Sequence, residues 1–178
     1  MQEKAMMGDA LAAGLTMNTA GSHEVGAPRF RYAFECRDAD GNLKWADAFD
    51  NLVTTAGKTD LVDKYFKGST YSAAWYLGLK GTGAAAAGDT LASHAGWAEV
   101  TPYSGNRPAI TFGTTSGGSN TATTVSYSIT GSATVAGAFI ANANTGTSGV
   151  LYSAGDFGAS RSVSNGDTLN VTVTVSAS

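Results

Sequence analysis

The clearest pattern of apolar and polar positions lies near the end of the chain, where the turn Asn165-Gly166-Asp167 is followed by Thr168-Leu169-Asn170-Val171-Thr172-Val173-Thr174-Val175. Leu169, Val171, Val173 and Val175 point one way, and Asn170, Thr172 and Thr174 the other. Period-two alternation of β-branched residues predicts a strand with one buried face. Fully burying four such side chains stabilises by roughly 6–12 kcal/mol as an upper figure, so the strand needs a facing sheet. A second alternating stretch runs from Arg29 to Arg37, with Phe30, Tyr32, Phe34 and Cys36 on one side and Arg29, Arg31, Glu35 and Arg37 on the other. Asp38-Ala39-Asp40-Gly41-Asn42 then reads as a hairpin turn into Leu43-Lys44-Trp45.

After Asn51-Leu52-Val53-Thr54 the period changes. Thr54 or Thr55 can cap a helix, with Asp60 near its first turn and Gly68 as a stop. Leu61 with Tyr65, and Val62 with Phe66, sit four apart, which predicts an apolar stripe packed on the sandwich. Trp75 to Leu79 reads as a short buried strand in which Gly78 permits close approach. From Pro108 the pattern is strands and turns: Ile110 and Phe112; Val125, Tyr127 and Ile129; Ala133 to Ile140 with a bulge at Gly137; Val150-Leu151-Tyr152; and Arg161-Ser162-Val163. About eight to ten strands with turns near every ten residues predict an all-β, two-sheet sandwich, jelly-roll-like, with one short packing helix. The expected division is an extended N-terminal arm over residues 1–28 and a sandwich over 29–178. Met6, Met7, Leu11 and Leu15 could form a helical stripe on the arm.

Composition narrows the function. The 178 residues suit one domain with an appended arm, and a hydrophobic share of 43% supports a core. Net charge is −3, with no basic field for nucleic acid. No stretch reaches the ~18 apolar residues of a membrane span. Cys36 is alone, which excludes an intramolecular disulfide, and Met1 to Asp9 lacks the apolar run of a signal peptide; synthesis and assembly in a cytoplasm are the expectation. Residues 111–178 carry only Asp156, Arg161 and Asp167 as charges but hold 25 Ser and Thr, a surface tolerable where neighbouring subunits cover it.

Candidate chemistry is thin. Asp38-Ala39-Asp40-Gly41-Asn42 resembles the start of a calcium loop, but the sixth and twelfth positions are Leu43 and Phe49. Gly81 to Gly88 is glycine-rich, yet Lys80 precedes the glycines instead of following them, as a phosphate loop requires. Asp89 and Glu99 could imitate a glycosidase pair, and Ser93 with His94 part of a nucleophile–base set, without any Gly-x-Ser-x-Gly elbow. With His23 in a separate region, few ways remain to hold a transition metal; no cofactor or metal is expected. The expected alternative is that Asp89, His94 and Arg107 satisfy loop backbone while Trp97 and Tyr103 pack.

Three stretches resemble small virion proteins of tailed bacteriophages: Asn51 to Lys58; Asp89-Thr90, His94, Gly96-Trp97, Glu99, Tyr103 and Arg107; and Thr134 to Phe139 with Gly166 to Val171. The resemblance spans about residues 29–178 and implies a structural sandwich on the virion, most like a capsid decoration (cement) protein. It would bind the phage major capsid protein on the outer shell as a dimer or trimer, with no nucleic acid or membrane as partner and no enzymatic turnover. Expected contacts are the arm, through Met6, Met7, Leu11 and Leu15, reaching a neighbouring subunit, and the wet face of the first strand, through Arg29, Arg31 and Arg37. The other readings are a tail-fibre or baseplate module that binds receptor or glycan on Trp75, Trp97 and Tyr103, and a polysaccharide-degrading enzyme.

Overall fold

The terminal alternating stretch is the inner strand of one of two antiparallel sheets. The computed structural model describes residues 28–71 and 74–177. In chain order the elements are β1 (Pro28–Arg37), β2 (Leu43–Asp50), β3 (Leu52–Val53), α1 (Thr55–Tyr65), β4 (Tyr76–Lys80) and β5 (Glu99–Val100). They continue with β6 (Ser119–Thr121), β7 (Val125–Ser128), β8 (Ala133–Ala141), β9 (Leu151–Val163) and β10 (Thr168–Ala177). The first sheet runs β2-β1-β10, with β6 and β7 pairing along successive parts of β10; the second runs β3-β9-β8-β4-β5. The described residues thus form an all-β, two-sheet sandwich with one short helix, as the alternation predicts. Residues 1–27 lie outside the described part, and with them Met6, Met7, Leu11, Leu15 and His23.

Register puts the two best patterns side by side: Phe30 faces Val175, Tyr32 faces Val173, Phe34 faces Val171 and Cys36 faces Leu169. All of these except Val175 are buried, and they meet Leu77, Leu79, Val135 and Ile140 of the second sheet in one core. Phe34, Phe49 and Phe157 interlock edge-on and stacked, with ring centres 4.7–5.7 Å apart. Two hydroxyls tie the layers across the core: Tyr32 with Ser153 Oγ at 2.6 Å, and Tyr127 donating to the Leu77 carbonyl at 2.8 Å. Both of these buried hydroxyls thereby keep a partner, without which burial costs about 1–3 kcal/mol.

Both hairpin turns follow the sequence. Gly41 takes φ +85°, and Asp38 Oδ1 accepts from the Asp40 and Asn42 amides, so this is a turn, with its carboxylate spent on backbone. In the β9–β10 turn, Asp167 accepts from the Ser164 amide at 2.7 Å and Lys44 Nζ at 2.5 Å, while Cys36 Sγ donates to it at 3.7 Å. Burial pushes the Asp167 carboxyl up, but these donors outweigh it and hold it below the usual range. Burial, helped by the Asp167 carboxylate, raises the Cys36 thiol to about 11.

Four expectations change. Val150–Tyr152 and Arg161–Val163 are the two ends of one strand, β9, whose middle is masked in sequence by Gly155 and Gly158. Small residues are required there, since a Cβ at Gly137 would lie 1.9 Å from the Gly155 carbonyl oxygen, where the register shifts. Ile110 and Phe112 form no strand: Ala109 bridges Tyr76 and Phe112 bridges Ala122 as isolated pairs, and the Ile110 amide donates to the Trp75 carbonyl at 2.8 Å. Asp60 falls beyond the first turn of α1, which holds no acid there; Thr54 caps the helix, its Oγ1 accepting from the Gly57 amide at 3.0 Å. The helical stripe packs only in part: Leu61 is half-buried against the core and Gly57 is the one fully buried residue of α1, while Val62, Tyr65 and Phe66 are exposed. The close seat is at the start of the helix, where a Cβ on Gly57 would meet the Tyr152 carbonyl at 2.3 Å and only glycine fits.

Two outcomes test this architecture. Gly137→Ala is expected to cost about 3 kcal/mol by denaturant unfolding, since the conflict is with backbone rather than a movable side chain. Asp167 contributes stability that is present above its unfolded value near 3.9 and is lost as pH falls through its lower folded value. Asp167→Asn is therefore expected to flatten the loss of stability below about pH 4 in acid titrations followed by circular dichroism.

Candidate functional site

Three regions have the residues to meet a ligand or partner: the loop between β4 and β5, the outer face of the first sheet, and a groove at one end of the sandwich.

The loop covers the outer face of the second sheet. Phe139 and Ala141 of β8 and Leu151 and Ala154 of β9 point away from the main core and would face water. Leu91 and Trp97 close over them as a second small core. Gly78 makes room, since a Cβ there would fall 2.1 Å from the Phe139 ring. The loop's polar residues hold it down. Asp89 accepts from the Trp97 indole at 2.8 Å and the Ala86 amide at 2.9 Å, and His94 stacks on Trp97 with centres 4.0 Å apart. Glu99 receives a two-pronged bond from Arg107, at 2.7 and 2.6 Å, and Arg107 also donates to the Ala143 and Gly146 carbonyls. Asp89, His94, Glu99 and Arg107 are thus each engaged with loop partners, as the structural alternative predicts, and Trp97 and Tyr103 are buried. Asp89 and Glu99 hold separate partners rather than converging as an acid pair.

Lys80 is the residue whose role the sequence hides. Its side chain is fully buried beside the Trp97 ring, paired with Asp156 and donating to the Gly81 and Gly83 carbonyls. Asp156 in turn accepts from the Ala85 amide at 3.0 Å. One strand-end lysine therefore pins the glycine-rich loop to β9 and is not available to a phosphate. Among the described residues no group of three or more His, Cys, Asp or Glu is placed to hold a metal ion. No described helix is long and apolar enough to cross a membrane.

The first sheet's outer face carries Arg29, Arg31 and Arg37 along β1. Arg31 meets Asp50 at 3.3 Å, Arg37 meets Glu35 at 2.6 Å, and Arg29 is exposed. Exposed pairs of this kind contribute about 0–1 kcal/mol and leave the arginines free to exchange partners. Beyond β1 the same face becomes uncharged. Asn170, Thr172 and Thr174 of β10 bond to Ser126, Thr124 and Thr121 at 2.6, 2.9 and 3.0 Å. Ala33, Ala46 and Ala48 complete it on the other side. The result is a field of hydroxyl, amide and methyl groups, with Glu35 between Ala46 and Asn170 and with Arg29, Arg31 and Arg37 along β1.

The groove, about 490 Å³, opens between α1, the start of β1 and the end of β10. Aromatic rings dominate its wall, and Trp75 is the one member of the expected sugar platform that lines it. The signal was present in the sequence as the aromatic density between Leu61 and Trp75, where Tyr65 and Phe66 read as helix packing and Trp75 as the start of a buried strand.

The loop arrangement has a direct test. Asp156→Ala leaves the Lys80 ammonium buried without its counter-charge and is expected to cost about 3–5 kcal/mol, whereas Lys80→Met, which removes the charge and keeps the volume, costs far less. Urea unfolding of the two variants side by side checks the ordering.

Compared with models of protein families, with curated proteins and with solved structures, the chain matches none.

Proposed function

We propose that this chain is a non-enzymatic virion structural protein that binds the outer surface of a tailed-phage capsid and stabilises the shell by bridging major capsid protein subunits. The observation that carries the reading is the asymmetry of the sandwich. One sheet has its outer apolar cluster covered by the loop between β4 and β5, while the other presents a weakly charged face over which no described element packs. Such a face suits contact with a broad protein surface, because its hydroxyls and amides already satisfy one another and lose little on losing water. The bordering Arg29, Arg31 and Arg37 supply the residue type enriched at interfaces. A modest contact is sufficient when a dimer or trimer engages several sites at once, since the later contacts form at high effective concentration. The loop chemistry fits the same reading, its acids and bases being bound to one another and to backbone.

The receptor- or glycan-binding reading requires an exposed aromatic platform, and Trp97 and Tyr103 are 5% and 8% exposed. Two of its three rings are therefore out of reach of a sugar.

The test is cosedimentation of the purified protein with emptied, expanded phage heads. Binding in many copies per head is expected, and the double change Thr172→Arg, Thr174→Arg is expected to weaken it about tenfold or more while leaving the fold intact, since both side chains face outward. Labelling at the tail tip instead, or binding indifferent to the two arginines, would refute the assignment.

A further inference from the structure

The helix α1 leaves large apolar side chains in water that its own sandwich does not cover. Tyr65 and Phe66 are 78% and 77% exposed, and Tyr71, on the chain leaving the helix, is 58% exposed. Covering a ring of this size stabilises by about 1.5–3 kcal/mol. Leu61, Tyr65, Tyr71, Trp75 and Phe112 are among the residues that line the end groove, and Pro28 lines it too. Pro28 is where the first 27 residues join the sandwich, so the arm springs from the rim of this groove.

We infer that this groove is the docking site of the chain's own N-terminal arm, which lays the stripe Met6, Met7, Leu11 and Leu15 across α1 and Trp75. Two observations select this occupant. The first is the tether. Twelve residues, 16–27, separate the stripe from Pro28, and they include Gly21 and Gly26. Twelve residues counted as a random coil have a mean span of roughly 17–21 Å, enough to turn back onto a groove that begins at their anchor. A segment so tethered faces its site at about millimolar effective concentration, which favours the same chain over a second molecule in dilute solution. The second is chemistry. Met7, Leu11 and Leu15 recur at four-residue spacing, so one face of a helical turn presents them together. Methionine side chains are flexible, and their sulfur makes favourable contacts with ring edges, which suits an irregular aromatic wall. The inference is independent of what the outer face of the first sheet binds.

The experiment places a photo-crosslinking amino acid at Leu11 in the full chain and irradiates an equal mixture of light and heavy-nitrogen protein. Cross-links to peptides spanning residues 61–75, isotopically unmixed, are expected. Mixed-isotope products would mean the arm of a second copy occupies the groove, and attachment elsewhere would mean another site; either overturns the inference. A second readout uses full-length protein carrying Trp45→Phe, in which Trp97 is buried and acrylamide quenching reports Trp75. Replacing Met6, Met7, Leu11 and Leu15 with serine is expected to raise the quenching about twofold, at every protein concentration, as the tethered docking is lost. Equal quenching with and without the four serines would also overturn it.

Discussion

The constraint that shapes this molecule is that the sheet containing β8 and β9 is apolar on both faces. A sandwich buries one face of each sheet by construction. The outward set, Phe139, Ala141, Leu151 and Ala154, has to be sealed by something else, and the chain assigns that task to the long loop between β4 and β5. Much of the loop's polar chemistry follows from the task. An irregular segment lying on a sheet must satisfy its backbone locally, and Asp89, Arg107, Lys80 and Asp156 do so while fixing Trp97 over Phe139. The residues that look most like catalytic candidates in the sequence are fasteners of a second hydrophobic layer.

The two halves of the sandwich differ accordingly. Sealing one side concentrates ionic groups beneath the loop, whereas the β10 side of the other sheet keeps Thr, Ser and Asn in mutual hydrogen bonds. This accounts for the uneven charge along the chain, since the residues after 110 build most of the inner strands and the uncharged face. A broad exposed face and a braced opposite side are compatible with the shell-binding role proposed above.

Most of the fold was legible from alternation because β1 and β10 each have one wet and one dry side, and their registers pair the dry residues one for one. What escaped has physical causes. β9 is buried on both faces over its first half and crosses Gly137 at a bulge, so glycine and alanine replace the alternating pattern that marks a strand. The helix had the right spacing, but only its Leu61 side reaches the core: Gly57 seats its start closely on β9, and the Val62 and Phe66 side stays exposed. The Lys80–Asp156 pair joins residues 76 positions apart, a contact that no local pattern announces. The groove was hidden because its wall is assembled from α1, the residues around Trp75 and the ends of β1 and β10. The wet arginines of β1 and the structural use of Asp89, His94 and Arg107 were readable from residue type and spacing alone.

The buried thiol of Cys36 has a consequence for where such a protein can work. Sealed between Leu169 and Trp45 in the sheet register, and kept protonated by burial and the neighbouring carboxylate, the one cysteine neither reacts readily nor has a second sulfur to join. The covalent structure of the fold is therefore the same in reducing and in oxidising surroundings, and a particle built with it could pass from one to the other with no bond made or broken.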